Sequence, residues 1–263
     1  MGLVIGDKAR RPEEVVVFLH LGHSNMAGRT NSPDAMRPYY FETHPQLWAY
    51  GGMEDGFRPA KEPLSEDYLT RGRAGPGMAM LRAGLERAPE KLMVSIGHGH
   101  DGSRGGYCKS YRKGGLLYDF VMKPAMELRG KVTFGAIFVM LGVNEFRRDF
   151  DNLPRFHACL EGIAAEMRAD LGEPDLPFLM GDWEAGARGA FDPSRDYAIV
   201  TREQLRIANQ NIPRSGLIAT DGLPMADDHH YDLEGYKLWV ERGFAILSQG
   251  GWLPWATAAP AAE

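Results

Sequence analysis

The sequence predicts an α/β fold, with a mainly parallel five-stranded sheet and helices on both of its faces. Three observations predict it. Short apolar runs recur along the chain, the first of them is apolar on both of its faces, and longer amphipathic stretches separate one run from the next. VVVFLHL (15–21) is the first run, and its unbroken β-branched and apolar content suits a strand buried on both sides. KLMVSI (91–96), VTFGAIFVML (132–141), PFLMGD (177–182) and GLIAT (216–220) read the same way. Helices are expected at roughly 76–88, 116–129, 153–171, 202–211 and 232–248. Strand and helix in strict alternation imply right-handed crossovers and a parallel sheet. In such sheets the chemistry collects beyond the carboxyl ends of the strands.

The chain has 263 residues, enough to bury a full core, and is expected to form one domain over 1–263. Two segments break the alternation. Residues 30–75 are rich in Pro, Gly, Arg and aromatics, with only a strand-like LWAY (47–50), and read as an ordered loop insertion roofing the site. Residues 256–263 read as a loose tail. The formal net charge of -5 argues against a nucleic-acid backbone as partner, since phosphate binding calls for a basic face. No run reaches the roughly 18 apolar residues of a spanning helix, so no membrane partner is expected. The N-terminus holds no apolar run of signal-peptide length, which leaves the compartment open. Cys108 and Cys159 match no metal spacing and are expected to be ordinary buried or half-buried thiols.

Three constellations carry candidate chemistry. GHSNMAGR (22–29) follows directly on the first strand. Ser24 there is either a nucleophile presented at a strand end or a plain helix N-cap, and its own surroundings do not decide between them. The GxSxG elbow of α/β-hydrolases is absent. Near the C-terminus, ADDHHYDLEGYKLW (226–239) places two carboxylates and two imidazoles just ahead of the last helix. A serine nucleophile needs an imidazole base, and that imidazole needs a carboxylate to fix its tautomer. Asp227 with His230 supplies both from one turn, and Asp228 with His229 is the rival pair. An aspartate of this stretch (Asp227, Asp228 or Asp232) can also serve simply as the helix cap. His98, His100, Asp101, His229 and His230 carry metal-ligating atoms, but in no spacing that marks a metal site. The third constellation is a pair of loops, GHGHDGSRGGY (97–107) and LGVNEFRRD (141–149), each after a strand on the edge that carries Ser24. The N–H groups of Ser24 and Gly99 and the amide of Asn144 are the candidate oxyanion donors.

With Ser, Gly, Asn and Asp/His in that order at strand ends, the chain resembles the SGNH hydrolase superfamily. More narrowly, it is similar to its sialate O-acetylesterase-like and acetylxylan-esterase branch, carbohydrate esterase family six. That branch reads GQSNMAGR where this chain reads GHSNMAGR. AGPGMAMLRAGL (74–85) looks like its Gly-Pro-Gly entry into a helix, and Asp227, His230 and EGYKLW look like its terminal block. The resemblance spans roughly 15–248 and selects Asp227 and His230 over the rival pair. Two departures stand out. His23 replaces the usual Gln, and Leu141-Gly142-Val143-Asn144-Glu145 replaces Gln-Gly-Glu-x-Asp.

The resemblance implies a three-layer α/β/α sandwich of the flavodoxin-like SGNH type. It also implies a serine esterase that removes acetyl groups from carbohydrate through an acyl-enzyme, with Ser24, Asp227 and His230 catalytic and no cofactor or metal. His23, Arg29, Arg104 and Glu145 are the candidate substrate contacts. The alternatives are a short-chain ester or thioester hydrolase acting on a lipid or metabolite, and a carbohydrate-binding homologue without catalysis.

Overall fold

The computed structural model describes residues 3–30, 36–51, 56–64, 73–100, 107–142, 145, 153–182, 197–227 and 230–256. At its centre is β3 (Val15–Gly22), hydrogen-bonded in parallel to β6 (Leu92–Gly99) on one side and β7 (Thr133–Met140) on the other. Every residue of β3 is buried, and the two faces feed different cores. Val15, Val17, Leu19 and Leu21 pack into one; Val16 and Phe18 pack into the other. This is the period of two expected of a strand covered on both sides. The first core is closed by α4 (Tyr118–Leu128), α5 (Phe156–Leu171) and α6 (Tyr197–Asn211), through residues such as Val121, Leu160 and Leu205. The second is closed by α3 (Gly77–Arg87) and α7 (Leu233–Gln249), through Met78, Leu81, Trp239 and Phe244. The three-layer arrangement follows.

The sheet has seven strands, not the expected five: β5-β4-β6-β3-β7-β8-β9. β8 (Phe178–Gly181) and β9 (Ser215–Ile218) complete the expected set. The additional strands are β4 (Leu47–Tyr50), parallel to β6, and β5 (Phe57–Pro59), antiparallel to β4 at the edge. Both lie in the segment 30–75, which also forms α2 (Arg37–Phe41), so its described parts extend and flank the sheet. β4 is buried on alternate residues only and β5 on none, so neither presents the continuous apolar run that marks a central strand. Tyr40 of this segment is a core residue whose hydroxyl donates to the Leu233 carbonyl at 2.6 Å. A separate hairpin, β1 (Leu3–Ile5) with β2 (Lys8–Arg10), precedes β3. Residues 31–35, 52–55, 65–72 and the tail 257–263 lie outside the described residues.

The cysteine expectation is corrected. Cys108 and Cys159 form a disulfide across 51 residues, joining the short 3-10 helix Cys108–Tyr111 to α5. Sequence spacing does not reveal the pairing, because it arises from the packing of that short helix on α5. A cross-link of this span narrows the unfolded ensemble and contributes roughly 2–5 kcal/mol. Reduction with a thiol, or the paired replacement Cys108→Ala/Cys159→Ala, is expected to lower the thermal midpoint accordingly. An unchanged midpoint in a scan of the reduced protein would contradict this.

Candidate active site

β3 ends at Gly22, and the chain turns at once into α1 (Ser24–Ala27). Gly22 is required there, since a Cβ would lie 2.5 Å from the Met140 carbonyl oxygen. β6 carries the chain onward across β3 to β7, while β3's own connection leaves toward β4, so Ser24 emerges at the topological switch point. His23 occupies the N-cap position of α1 and makes no side-chain cap bond. Ser24 is therefore the first helical residue, and the capping alternative for it falls away. Its N–H, like the first N–H groups of any helix, has no intrahelical acceptor.

The Ser24 hydroxyl meets an imidazole from the far end of the chain. Ser24 Oγ and His230 Nε2 are 2.9 Å apart. His230 Nδ1 lies 2.7 Å from Asp227 Oδ2, and Asp227 Oδ1 accepts the backbone N–H of His230 at 2.7 Å. A carboxylate only accepts, so Nδ1 carries the ring proton and Nε2 is left to accept from Ser24. Both distances fall within hydrogen-bond reach for a nucleophile, base and orienting group. The pair sits in a turn closed by the Ala226 N–H on the His230 carbonyl (2.8 Å) and by a β-bridge between Met225 and Tyr231. The side chain of His230 is only 12% exposed, whereas that of Asp227 is 49% exposed. The cap of α7 is Asp232, whose Oδ1 accepts the Gly235 N–H at 2.8 Å. Asp227 is thus left to the imidazole. Asp228 and His229 lie outside the described residues.

The remaining expected site residues fare differently. Gly99 is the last residue of β6 and pairs with Gly22. A Cβ on Gly99 would fall 2.2 Å from the Ala27 nitrogen, so its lack of a side chain lets α1 lie against the strand ends. The N–H that reaches β3 from this strand end is that of His100, on the Gly22 carbonyl at 2.9 Å. Packing accounts for a glycine at 99. Asn144 and Arg104 lie outside the described residues. Arg29 is half-buried just beyond α1.

His23 and Glu145, two of the expected substrate contacts, are both buried. They are 1% and 2% exposed, and His23 Nε2 stands 3.8 Å from Glu145 Oε2. Glu145 also accepts the N–H groups of Cys108 and of Gly142 (3.0 Å). The two side chains face each other across the nucleophile turn and the loop after β7. The Tyr111 hydroxyl adds a second tie, donating to the Gly22 carbonyl at 2.6 Å.

Two other histidines on the central strands belong to the interior. Burial pushes the His20 imidazole down to about 4, and its Nε2 lies 2.7 Å from Ser95 Oγ over Gly97. Burial likewise pushes His98 down to about 4, with its ring stacked 4.5 Å from that of Phe120. Among the described residues, no group of three His, Cys, Asp or Glu side chains is arranged to hold a metal, and no helix is long and apolar enough to cross a membrane.

Sequence reading missed Asn25 and Thr30. Both are buried beside Ser24 and bond to the backbone of Tyr231, the residue after His230. Asn25 lies inside the GHSNMAGR match, which was the available signal. Thr30 had none, because its partner is 201 residues away.

A sequence model of the family described as carbohydrate esterase, sialic acid-specific acetylesterase, matches residues 14–242. The chain belongs to that family. It is accordingly a carboxylic ester hydrolase of the carbohydrate esterase group. No curated protein matches this carbohydrate esterase by sequence. Solved structures match its fold. A protein from Arabidopsis thaliana superimposes with a TM-score of 0.70 at 20% identity, over 89% of this chain and 98% of that one. NanS gives 0.69 at 14% identity, over 92% and 99%. A carbohydrate acetylesterase from Xanthomonas citri gives 0.66 at 13% identity, over 89% of this esterase but 55% of that chain, so the esterase spans about half of it.

Proposed function

We propose that this carbohydrate esterase removes O-acetyl groups from carbohydrate hydroxyls through an acyl-enzyme on Ser24. The observation that carries the reading is the unbroken line from Ser24 Oγ through the His230 imidazole to Asp227, with separations of 2.9 and 2.7 Å. Membership of a family described by acetylesterase activity supports the acetyl group and the carbohydrate class.

In the first half-reaction, Ser24 Oγ attacks the acetyl carbonyl and His230 Nε2 takes the serine proton. The new Oγ–C bond forms as the carbonyl becomes an oxyanion. Collapse breaks the bond to the sugar oxygen, which leaves with the proton from His230. In the second half, water attacks the acetyl-serine and His230 takes a proton from that water; collapse breaks the Oγ–C bond, acetic acid departs, and His230 passes the water-derived proton to Ser24 Oγ. Asp227 stays ionised, holding the tautomer and stabilising the imidazolium between the two transfers. The Ser24 N–H is the first oxyanion donor. The Asn144 amide, by its place after β7, is proposed as another, each donor of this kind contributing about 2.7–4 kcal/mol to transition-state stabilisation.

The test is acetate release from a panel of acetylated sugars and polysaccharides, run beside p-nitrophenyl acetate, butyrate and hexanoate. Acetate release from at least one glycan, with a steep fall from acetate to hexanoate, is the expected result. Equal turnover along the chain-length series with no acetate released from any glycan would instead favour a general short-chain ester hydrolase.

A further inference from the structure

The Asp227–His230 pair is a local turn, complete within four residues. Nothing in that turn fixes where its Nε2 points relative to Ser24, which is 206 residues earlier. A single hydrogen bond between the two, contributing about 0.5–1.5 kcal/mol net, is too weak to hold a loop in register. Something else must set the separation.

We infer that Asn25 and Thr30 are positioning residues, a two-point clamp on the peptide groups of Tyr231 that sets His230 over Ser24. This rests on the reading of Ser24 and His230 given above. Asn25 Oδ1 accepts the Tyr231 N–H at 3.1 Å, and Thr30 Oγ1 donates to the Tyr231 carbonyl at 2.6 Å. Both backbone groups of the residue bonded to His230 are thus held by side chains from the Ser24 segment. The Asn25 amide is itself oriented, because its Oδ1 also accepts the Tyr236 hydroxyl of α7 at 3.2 Å. Burial raises the Tyr236 hydroxyl well above the ordinary tyrosine range, so it remains a donor at any working pH. Asn25 and Thr30 are 2% and 4% exposed, which keeps water from competing for the Tyr231 groups.

The segment carrying the clamp is anchored in turn. Gly28, with φ of +90°, lies so close to Ala74 and Gly75 that a Cβ would come within 2.5 Å of the Ala74 carbonyl. Thr30 forms a β-bridge with Ala74. The clamp therefore works from a fixed base, and Tyr231 is the part that it holds.

A clamp of this kind acts on chemistry more than on substrate affinity. A displacement near 1 Å at the reacting atoms costs about 10²-fold in rate. The experiment is steady-state kinetics on p-nitrophenyl acetate for Asn25→Ala, Thr30→Val and Thr30→Ser, with circular dichroism as the folding control. Proton NMR of the low-field His230 Nδ1–H follows the Asp227 bond. The expected result is a kcat about tenfold lower in Thr30→Val and about 10²-fold lower in Asn25→Ala, with KM within about threefold of wild type. The low-field proton should persist, because the Asp227 turn is untouched, and Thr30→Ser should recover most of the lost kcat. Folded variants with wild-type kcat would overturn the inference, as would a Thr30→Val whose loss Thr30→Ser shares in full. If Asn25→Ala does not fold, the Thr30 pair decides alone. Ser24→Ala run in parallel separates the two readings: an active Ser24→Ala overturns the function itself, while an inactive one beside an unimpaired Thr30→Val overturns only the clamp.

Discussion

Ser24→Ala is expected to lower turnover of p-nitrophenyl acetate by about 10⁴- to 10⁶-fold, the range over which loss of a serine nucleophile acts in triad hydrolases. The change deletes one oxygen. That oxygen is the proposed acceptor of the acetyl group and the neighbour of His230 Nε2 at 2.9 Å. It caps no helix, since His23 holds the N-cap position of α1. The cost to stability should then stay near the 0.5–1.5 kcal/mol of one hydrogen bond, so the variant should fold. A fluorophosphonate probe should label the wild type at Ser24 and leave the variant unlabelled, as read by intact mass. Wild-type turnover by a folded Ser24→Ala protein would remove the serine mechanism altogether.

His230→Ala should be nearly as severe, with a loss of about 10⁴-fold or more, because the nucleophile loses its base and the departing sugar oxygen loses its acid. His229→Ala is the matched control and should leave turnover near that of wild type. The contrast separates the two adjacent Asp/His pairs directly. Were His229→Ala the inactive variant, the assignment of the base would pass to Asp228 and His229. Asp227→Asn belongs to the same series. Its single amide oxygen cannot accept from both the Nδ1–H and the backbone N–H of His230, and an NH2 facing Nδ1 favours the wrong imidazole tautomer, so kcat falls with little change in KM.

Much of this was legible in the sequence. The five apolar runs became β3, β6, β7, β8 and β9, because strands near the middle of a covered sheet are mostly apolar along their length and so stand out in the sequence. The last helix begins at Leu233, one residue from expectation, because Asp232 and the amphipathic stretch behind it act locally. What stayed hidden depends on residues far apart in the chain. β5 has no buried residue to mark it. The Cys108–Cys159 link exists only once α5 is packed. The approach of His23 to Glu145 was hidden as well, since it depends on residues 122 positions apart being buried together. Ser24 could not be told from a helix cap by its own surroundings alone, and it was the order of Ser, Gly, Asn and Asp/His along the chain that singled it out.

The distance along the chain between Ser24 and His230 also has a consequence in time. A ribosome adding 5–20 residues per second delivers the two about 10–40 s apart. Throughout that interval the nascent chain carries a serine with no base beside it. On the proposed mechanism, ester hydrolysis therefore begins only after residues 227–230 have been made and docked against Ser24, and the onset of activity reports that docking rather than the formation of the sheet.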